Sequence, residues 1–297
     1  FWAAWREEDI SDAEMYALKN KKLSASQKQS LFSYRPVDDL NWYENLIAGG
    51  DLAVTGQDQL LISLLKPERL LEMVRLYTLF DKKAGKIVAR YQQIFGIKRL
   101  IERISTKNSK GGREGGVIWH TTGSGKSFTM VFLSKALILH EDLKQCRILV
   151  VTDRVDLEDQ LSKTFVSGGE LAGKKDKQNA MATSGKRLAE QIGKGTERIM
   201  FSLIQKFNSA TKLPECVNTS SDFIVLIDEG HRSQGGENHV RMKLALPNAA
   251  FVAFTGTPLL KNEKTVKPIK PKTKTRTVPN RPANHPVKGT QMASATA

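Results

Sequence analysis

One stretch near the middle of the chain limits its fold more than any other: Val117-Ile118-Trp119-His120-Thr121-Thr122-Gly123-Ser124-Gly125-Lys126-Ser127. A β-branched run leads through small residues into Lys-Ser and then a long apolar segment, the pattern of a strand, a tight loop and a helix. Glycine at 123 and 125 lets the backbone turn with its N–H groups inward, so that an anion meets several donors and no side chain intervenes. A helix starting near Lys126 aims roughly +0.5 of an elementary charge at the same point. The Lys126 ammonium can reach the β/γ oxygens of a polyphosphate, and the Ser127 hydroxyl suits Mg²⁺. Thr122, Gly123, Ser124, Gly125, Lys126 and Ser127 are therefore the candidate nucleotide-binding residues. His120 stands where the general P-loop pattern has glycine, so the match is to the shorter x-x-G-x-G-K-S form. An ordinary glycine-rich turn before a helix remains the alternative at this point.

A chain of 297 residues has room for one large or two ordinary domains with a buried core. No run approaches the roughly 18 apolar residues of a membrane span, and no basic-flanked apolar segment of the signal-peptide kind opens the chain. A soluble, cytoplasmic protein without a membrane partner is expected. Cys146 and Cys216 are too few and too far apart for a disulfide framework or a zinc cluster. The start at Phe1 reads as a cut. A net charge of +15 points towards nucleic acid, but much of it is local: residues 261–297 hold nine Lys and Arg against Glu263 alone. The remainder is an excess that a solvated surface carries without any partner.

Residues 1–60 scatter aromatic side chains among charges with little period, and read as an irregular connecting region. Helical spacing sets in near Gln59 with Leu60, Leu61, Leu64 and Leu65, takes Pro67 as a first-turn residue, and continues through Leu70, Leu71, Val74 and Leu76. A second helix is expected over Ile87–Ile104, which makes residues 61–110 a helical lead-in, and Ser105–Gly116 reads as a flexible linker. From residue 111 to 262, strands and helices alternate. Strands are expected at Arg147–Thr152, Arg198–Phe201, Phe223–Ile227 and Ala250–Phe254. Helices are expected after the glycine loop and over Asp156–Phe165, Lys186–Ile192 and Leu203–Phe207, with a glycine- and lysine-rich loop over Ser167–Ser184. This order predicts an α/β fold, a parallel sheet flanked by helices on both faces, with ligands at the carboxyl ends of the strands. Residues 263–297, rich in Lys, Pro and Thr with no apolar period, form a basic tail expected to be disordered.

Two later segments carry chemistry. Phe223–Ile227 runs straight into Asp228-Glu229-Gly230-His231, which puts two carboxylates at the end of a buried strand. Asp228 would hold Mg²⁺, and Glu229 would orient or deprotonate an attacking water. The bare alternative is a solvated turn. Phe254-Thr255-Gly256-Thr257-Pro258 ends the last strand with two hydroxyls and a glycine able to hydrogen-bond to the carboxylate loop, although turn chemistry alone also accounts for it.

In this order, and each after a strand, H-T-T-G-S-G-K-S, D-E-G-H and F-T-G-T-P resemble motifs I, II and III of superfamily 2 helicases and translocases. Ala89-Arg90-Tyr91-Gln92-Gln93, Gly116–Thr121, Thr152–Leu161, Ile204-Gln205-Lys206-Phe207 and His231-Arg232-Ser233-Gln234 narrow the likeness. Over about residues 60–262 the chain resembles the restriction (motor) subunit of type I restriction–modification enzymes. That resemblance implies a RecA-like P-loop domain that uses ATP and Mg²⁺ to move double-stranded DNA, in company with modification (M) and specificity (S) subunits. It implies catalytic roles for Lys126, Asp228 and Glu229, and an adenine contact for Gln93. His231, Thr255, Gly256 and Thr257 would couple nucleotide state to movement. Arg154, in the Thr152–Gln160 stretch, would lie along the DNA backbone, and Lys206 is a second phosphate candidate. For Arg154 a surface pair with Asp156 or Glu158 is the alternative, and His231 can equally be a satisfied structural histidine.

The family also has a nuclease domain, expected ahead of residue 1, and a second RecA-like domain for which no room follows Pro258. The chain therefore reads as a fragment that binds ATP, turns it over slowly alone and cuts no DNA. A non-catalytic fragment that docks on partner subunits or binds nucleic acid stays open, as does another superfamily 2 motor such as a type III restriction subunit.

Overall fold

The computed structural model describes residues 5–81, 85–119, 125–169, 171, 174–228 and 236–256. Among the residues singled out above, His120, Thr121, Thr122, Gly123, Ser124, Glu229, Gly230, His231, Arg232, Ser233, Gln234, Thr257, Pro258 and the tail 263–297 lie outside the described residues.

The segment read as irregular is helical. It forms α1 (Asp12–Lys19), α2 (Ala25–Phe32), α3 (Val37–Ala48) and the start of α4 (Gly56–Leu65). Local caps start most of these helices. Ser11 Oγ accepts from the Glu14 amide, and Ser24/Gln27 and Thr55/Asp58 form reciprocal capping boxes. Each box satisfies two otherwise unpaired amides at a helix start. Little of this region is buried, so it has no apolar stripe from which periodicity could find it. Pro67 opens α5 (Pro67–Leu76) as expected.

An antiparallel ribbon follows, β1 (Thr78–Asp81) with β2 (Gly85–Val88), and then α6 (Tyr91–Ser105). The expected helix over Ile87–Ile104 is thus too long at its start, because Leu79 pairs with Ile87 and Thr78 with Val88 in the ribbon. Nor is the segment before the first sheet strand a free linker. The Arg113 guanidinium is buried and donates to the carbonyls of Ser221 (2.8 Å) and Ile104 (3.2 Å), while pairing with Asp222 at 3.2 Å. Gly115 passes so close to Phe251 that a Cβ would sit 1.9 Å from its carbonyl oxygen.

The remaining elements are β3 (Gly116–Trp119), α7 (Lys126–Leu139), β4 (Arg147–Thr152), α8 (Val155–Ser167), α9 (Lys174–Ala180), α10 (Gly185–Lys194), β5 (Ile199–Leu203), a 3₁₀ turn at Ile204–Lys206, α11 (Phe207–Ala210), a second 3₁₀ turn at Pro214–Cys216, β6 (Phe223–Asp228), α12 (Glu237–Ala245) and β7 (Ala250–Thr255). Three of these run against expectation: α9 lies inside the stretch read as loop, α12 falls where no helix is expected, and the helix expected over Leu203–Phe207 is the end of β5, a 3₁₀ turn and the start of α11.

All five strands from β3 onward are parallel, in the order β3-β7-β6-β4-β5. Alternate residues feed two cores. Ile148, Val150, Ile224 and Leu226 join Met130, Phe132 and Leu133 of α7 on one face, while Leu149, Val151, Val225 and Ile227 join Leu188, Ile192 and Met242 on the other. Burial on both faces is what continuous apolar strands demand. No helix among the described residues is long and apolar enough to cross a membrane.

Candidate nucleotide site

The first component of the site is the start of α7. Gly125 takes φ +90°, a left-handed conformation that L residues rarely adopt, and α7 begins at the next residue. Eight residues of α7, from Thr129 to Leu137, are buried. The helix is therefore fixed by packing, and its amino end is held at the carboxyl edge of the sheet. Ser127 is half-buried in its first turn.

The second component arrives from a distant β/α unit. Asp228 stands opposite Phe254 on β7, which in turn stands opposite Ile118 on β3. These three strands therefore end level. The Lys126 ammonium reaches Asp228, with Nζ 2.9 Å from Oδ1; the carboxylate side chain is 5% exposed and the lysine side chain 22%. The spatial meeting on which a metal–polyphosphate site depends is present. Between the two units lies the end of β7, where Thr255 is buried. The Gly256 carbonyl accepts a hydrogen bond from Trp119 Nε1 at 3.3 Å, which ties the strand before the phosphate loop to the turn after β7. In the sequence Trp119 stands only within the first strand and the Gly116–Thr121 run of the family likeness, not among the candidate site residues.

Gln93 borders the same loop. Its Nε2 donates to Thr129 Oγ1 (2.7 Å) and to the Gly125 carbonyl (3.3 Å), and its Oε1 accepts from the Arg90 amide at 2.8 Å. Thr129 Oγ1 also donates to the Gly125 carbonyl, at 3.1 Å. Gln93 thus joins α6 to the first turn of α7. Thr129, its partner there, had no spacing that would have marked it in the sequence.

The two DNA candidates sit elsewhere, at the β4–β5 end of the same edge. Arg154 is exposed and makes a two-point pair with Asp156, Nε–Oδ1 3.2 Å and Nη2–Oδ2 2.9 Å, which is the surface-pair alternative. Lys206 Nζ lies 3.4 Å from Glu158, a buried carboxylate. Burial pushes the Glu158 pKa up, and Lys206 opposes that rise without cancelling it. Gln205 Nε2 donates to the Asp153 carbonyl at 2.7 Å, fastening the 3₁₀ turn to the loop after β4.

A buried helix springing from a left-handed glycine, with its lysine held by an acid from another strand end on a parallel sheet, defines a RecA-like P-loop domain. Comparison with known proteins supplies the family. The family profile of the SWI2/SNF2 ATPase matches residues 92–271, and the chain belongs to that family.

The type I restriction enzyme HindI endonuclease subunit of Haemophilus influenzae is 35% identical over 257 residues, covering 80% of this chain and 24% of that protein. The putative type I restriction enzyme MjaIXP endonuclease subunit of Methanocaldococcus jannaschii is 33% identical over 211 residues, covering 69% of this chain and 19% of that one. The chain thus spans about a quarter or less of the length of these curated relatives. The UvsW helicase from bacteriophage T4 aligns over 74% of this chain and 70% of its own, at 15% identity and a TM-score of 0.44. The likeness read from the motifs holds at this level: the chain carries a superfamily 2 helicase-like ATPase domain related to type I restriction endonuclease subunits.

Proposed function

We propose that the chain binds ATP with Mg²⁺ and supplies the first half of the motor with which a type I restriction enzyme draws double-stranded DNA past itself. The observation that carries this is the 2.9 Å approach of Lys126 to Asp228 at the carboxyl edge of the sheet. An ammonium and a nearly buried carboxylate in contact there fit a metal–polyphosphate pair, because each can exchange its partner for one of opposite charge. Ser127 and Asp228 are the residues that would hold Mg²⁺, whose charge would offset that of the phosphate oxygens. Lys126 binds the β/γ oxygens, Thr122, Gly123, Ser124 and Gly125 offer the loop amides, Glu229 orients the attacking water, and Gln93 reads adenine.

His231 with Thr255, Gly256 and Thr257 passes the nucleotide state to the DNA-facing edge, where Arg154 and Lys206 meet phosphates. An arginine from a second RecA-like domain would be worth 10³ to 10⁵ in rate. Modification and specificity subunits are the proposed partners, in the cytoplasm.

Thermal unfolding with and without ATP·Mg²⁺ tests this reading. Ligand at about 100 times its Kd adds about 2.7 kcal/mol to a folded state that alone binds it, a rise of about 5–10 °C for a domain of this size. Lys126→Ala should abolish the rise. A wild-type midpoint indifferent to ATP would sink the reading and leave the docking fragment in its place.

A further inference from the structure

The residues ahead of α1 hold a charged cluster that the nucleotide chemistry does not use. Arg69 on α5 is 5% exposed, and its guanidinium carbon lies 5.8 Å from the ring centroid of Trp5 and 5.2 Å from that of Phe95. Its Nη2 is 3.0 Å from Glu7 Oε1 and 2.8 Å from Asp9 Oδ2, and its Nη1 is 3.3 Å from Glu72. The Glu7 side chain is as buried as that of the arginine, and its carboxylate also accepts the Asp9 amide at 2.9 Å and Trp5 Nε1 at 3.1 Å. The neighbouring acids reach α6: Glu8 pairs with Arg99, and Asp9 with Lys98 at 2.5 Å. Three consecutive acids are thus each tied to a cation of α5 or α6.

Taking a guanidinium and a carboxylate out of water costs several kcal/mol per ion, and their attraction repays it only in good geometry. Such a group is better understood by what it fixes than by what it stabilises. What it grips is the amino end of α6. Trp5 meets Tyr91 and Phe95 edge-on, at centroid distances of 6.4 and 5.9 Å, and these two residues are about one turn apart on one side of the helix. Gln93, two residues from each, stands roughly 200° round the helix from both, and there bonds to Gly125 and Thr129. The leading segment therefore braces one side of the turn whose other side carries the glutamine.

We propose that Trp5, Glu7 and Arg69 are positioning residues which, through α6, hold Gln93 to discriminate the purine base of a nucleoside triphosphate. The proposal rests on the ATP reading above. None of the three touches the nucleotide; they act by denying Gln93 other positions.

The test measures binding of fluorescent ATP and GTP analogues, and of pyrophosphate by displacement, to the whole chain. Wild type should favour ATP over GTP by tenfold or more, and Gln93→Ala should set the floor near parity. Trp5→Ala should fall to within about threefold of that floor while pyrophosphate affinity stays within twofold, a split that general loosening of the fold would not give. Trp5→Phe, which keeps a ring against Tyr91 and Phe95, should restore the preference. Arg69→Met strands the buried Glu7 and risks unfolding, so Glu8→Gln/Asp9→Asn is the second probe, with an intermediate loss. Unchanged base preference in both Trp5→Ala and the double variant overturns the proposal, as does equal binding of ATP and GTP by wild type. Failure of wild type to bind nucleotide or pyrophosphate overturns the ATP reading itself.

Discussion

The five-stranded sheet and the leading helices of the same chain are held by different physics. Every residue of β6 is buried, and so are eight residues of α7, whereas α2 and α3 bury none and leave Leu31, Val37 and Trp42 exposed. The sheet rests on apolar burial, at about 1.5–3 kcal/mol for each large side chain. The helices rest on caps, typically about 1 kcal/mol apiece, and on solvent-screened surface pairs such as Lys19–Asp58 and Lys28–Glu44. A region built in the second way opens locally at a free energy well below that of global unfolding. The rigid half carries Lys126 and Asp228; the yielding half adjoins it through α5 and α6.

The contrast can be broken most sharply with two glycines. Gly115→Ala forces a Cβ to within 1.9 Å of the Phe251 carbonyl oxygen, and should abolish cooperative folding of the sheet as seen by calorimetry. Gly56→Ala meets nothing within 4 Å at the start of α4, and should stabilise by about 0.5–1 kcal/mol. Next in size, Phe201→Ala should cost about 3–5 kcal/mol in urea unfolding, because Phe201 is fully buried against Phe165. Leu71→Ala, on an exposed face of α5, should stay within about 0.5 kcal/mol.

The smallest effect is a matter of acid. Hydrogen bonds from Lys19 and Thr55 hold Asp58 down at about 2. Burial works against Asp9, but its ion pairs with Lys98 and Arg69 outweigh that and keep its pKa low. A depressed carboxylate lends stability that is complete above its unfolded value, near 4, and drains away as pH falls through the folded one. Glu158, raised by burial, has the opposite sign: its contribution is full below about 4.5 and lost as pH climbs through its folded value. Amide spectra recorded from pH 6 to pH 2 should show residues 12–65 melting before the sheet, and Asp58→Asn should flatten that early limb. Simultaneous loss of both halves would mean that they form one cooperative unit.

The same contrast explains what could be read in advance. Strands buried on two faces leave runs such as Phe223–Ile227, and chemistry that needs Lys126 and Asp228 leaves those residue types after the strands. Both are local and so were legible. The helices over 12–48 announce themselves only by capping residues such as Ser24 with Gln27, which periodicity does not count. Arg113 looked like one more linker cation, since its partners at Ile104, Ser221 and Asp222 belong to distant elements. Trp119 bonds to Gly256, a contact across 137 positions that no window of sequence contains. Arg154, a basic residue after a strand, offers two readings from sequence, a pair with Asp156 and a phosphate contact, and the first of these is present in the structure.

The placement of β7 has a consequence for synthesis. Among the described residues β7 is inserted between β3 and β6, so there β3 gains its neighbour in the sheet only once residues 250–255 have been made. A nascent chain halted short of that point can pair β4, β5 and β6 on the ribosome, but leaves β3 with an apolar, unpaired edge. Such an intermediate presents that edge to other chains until β7 slots home.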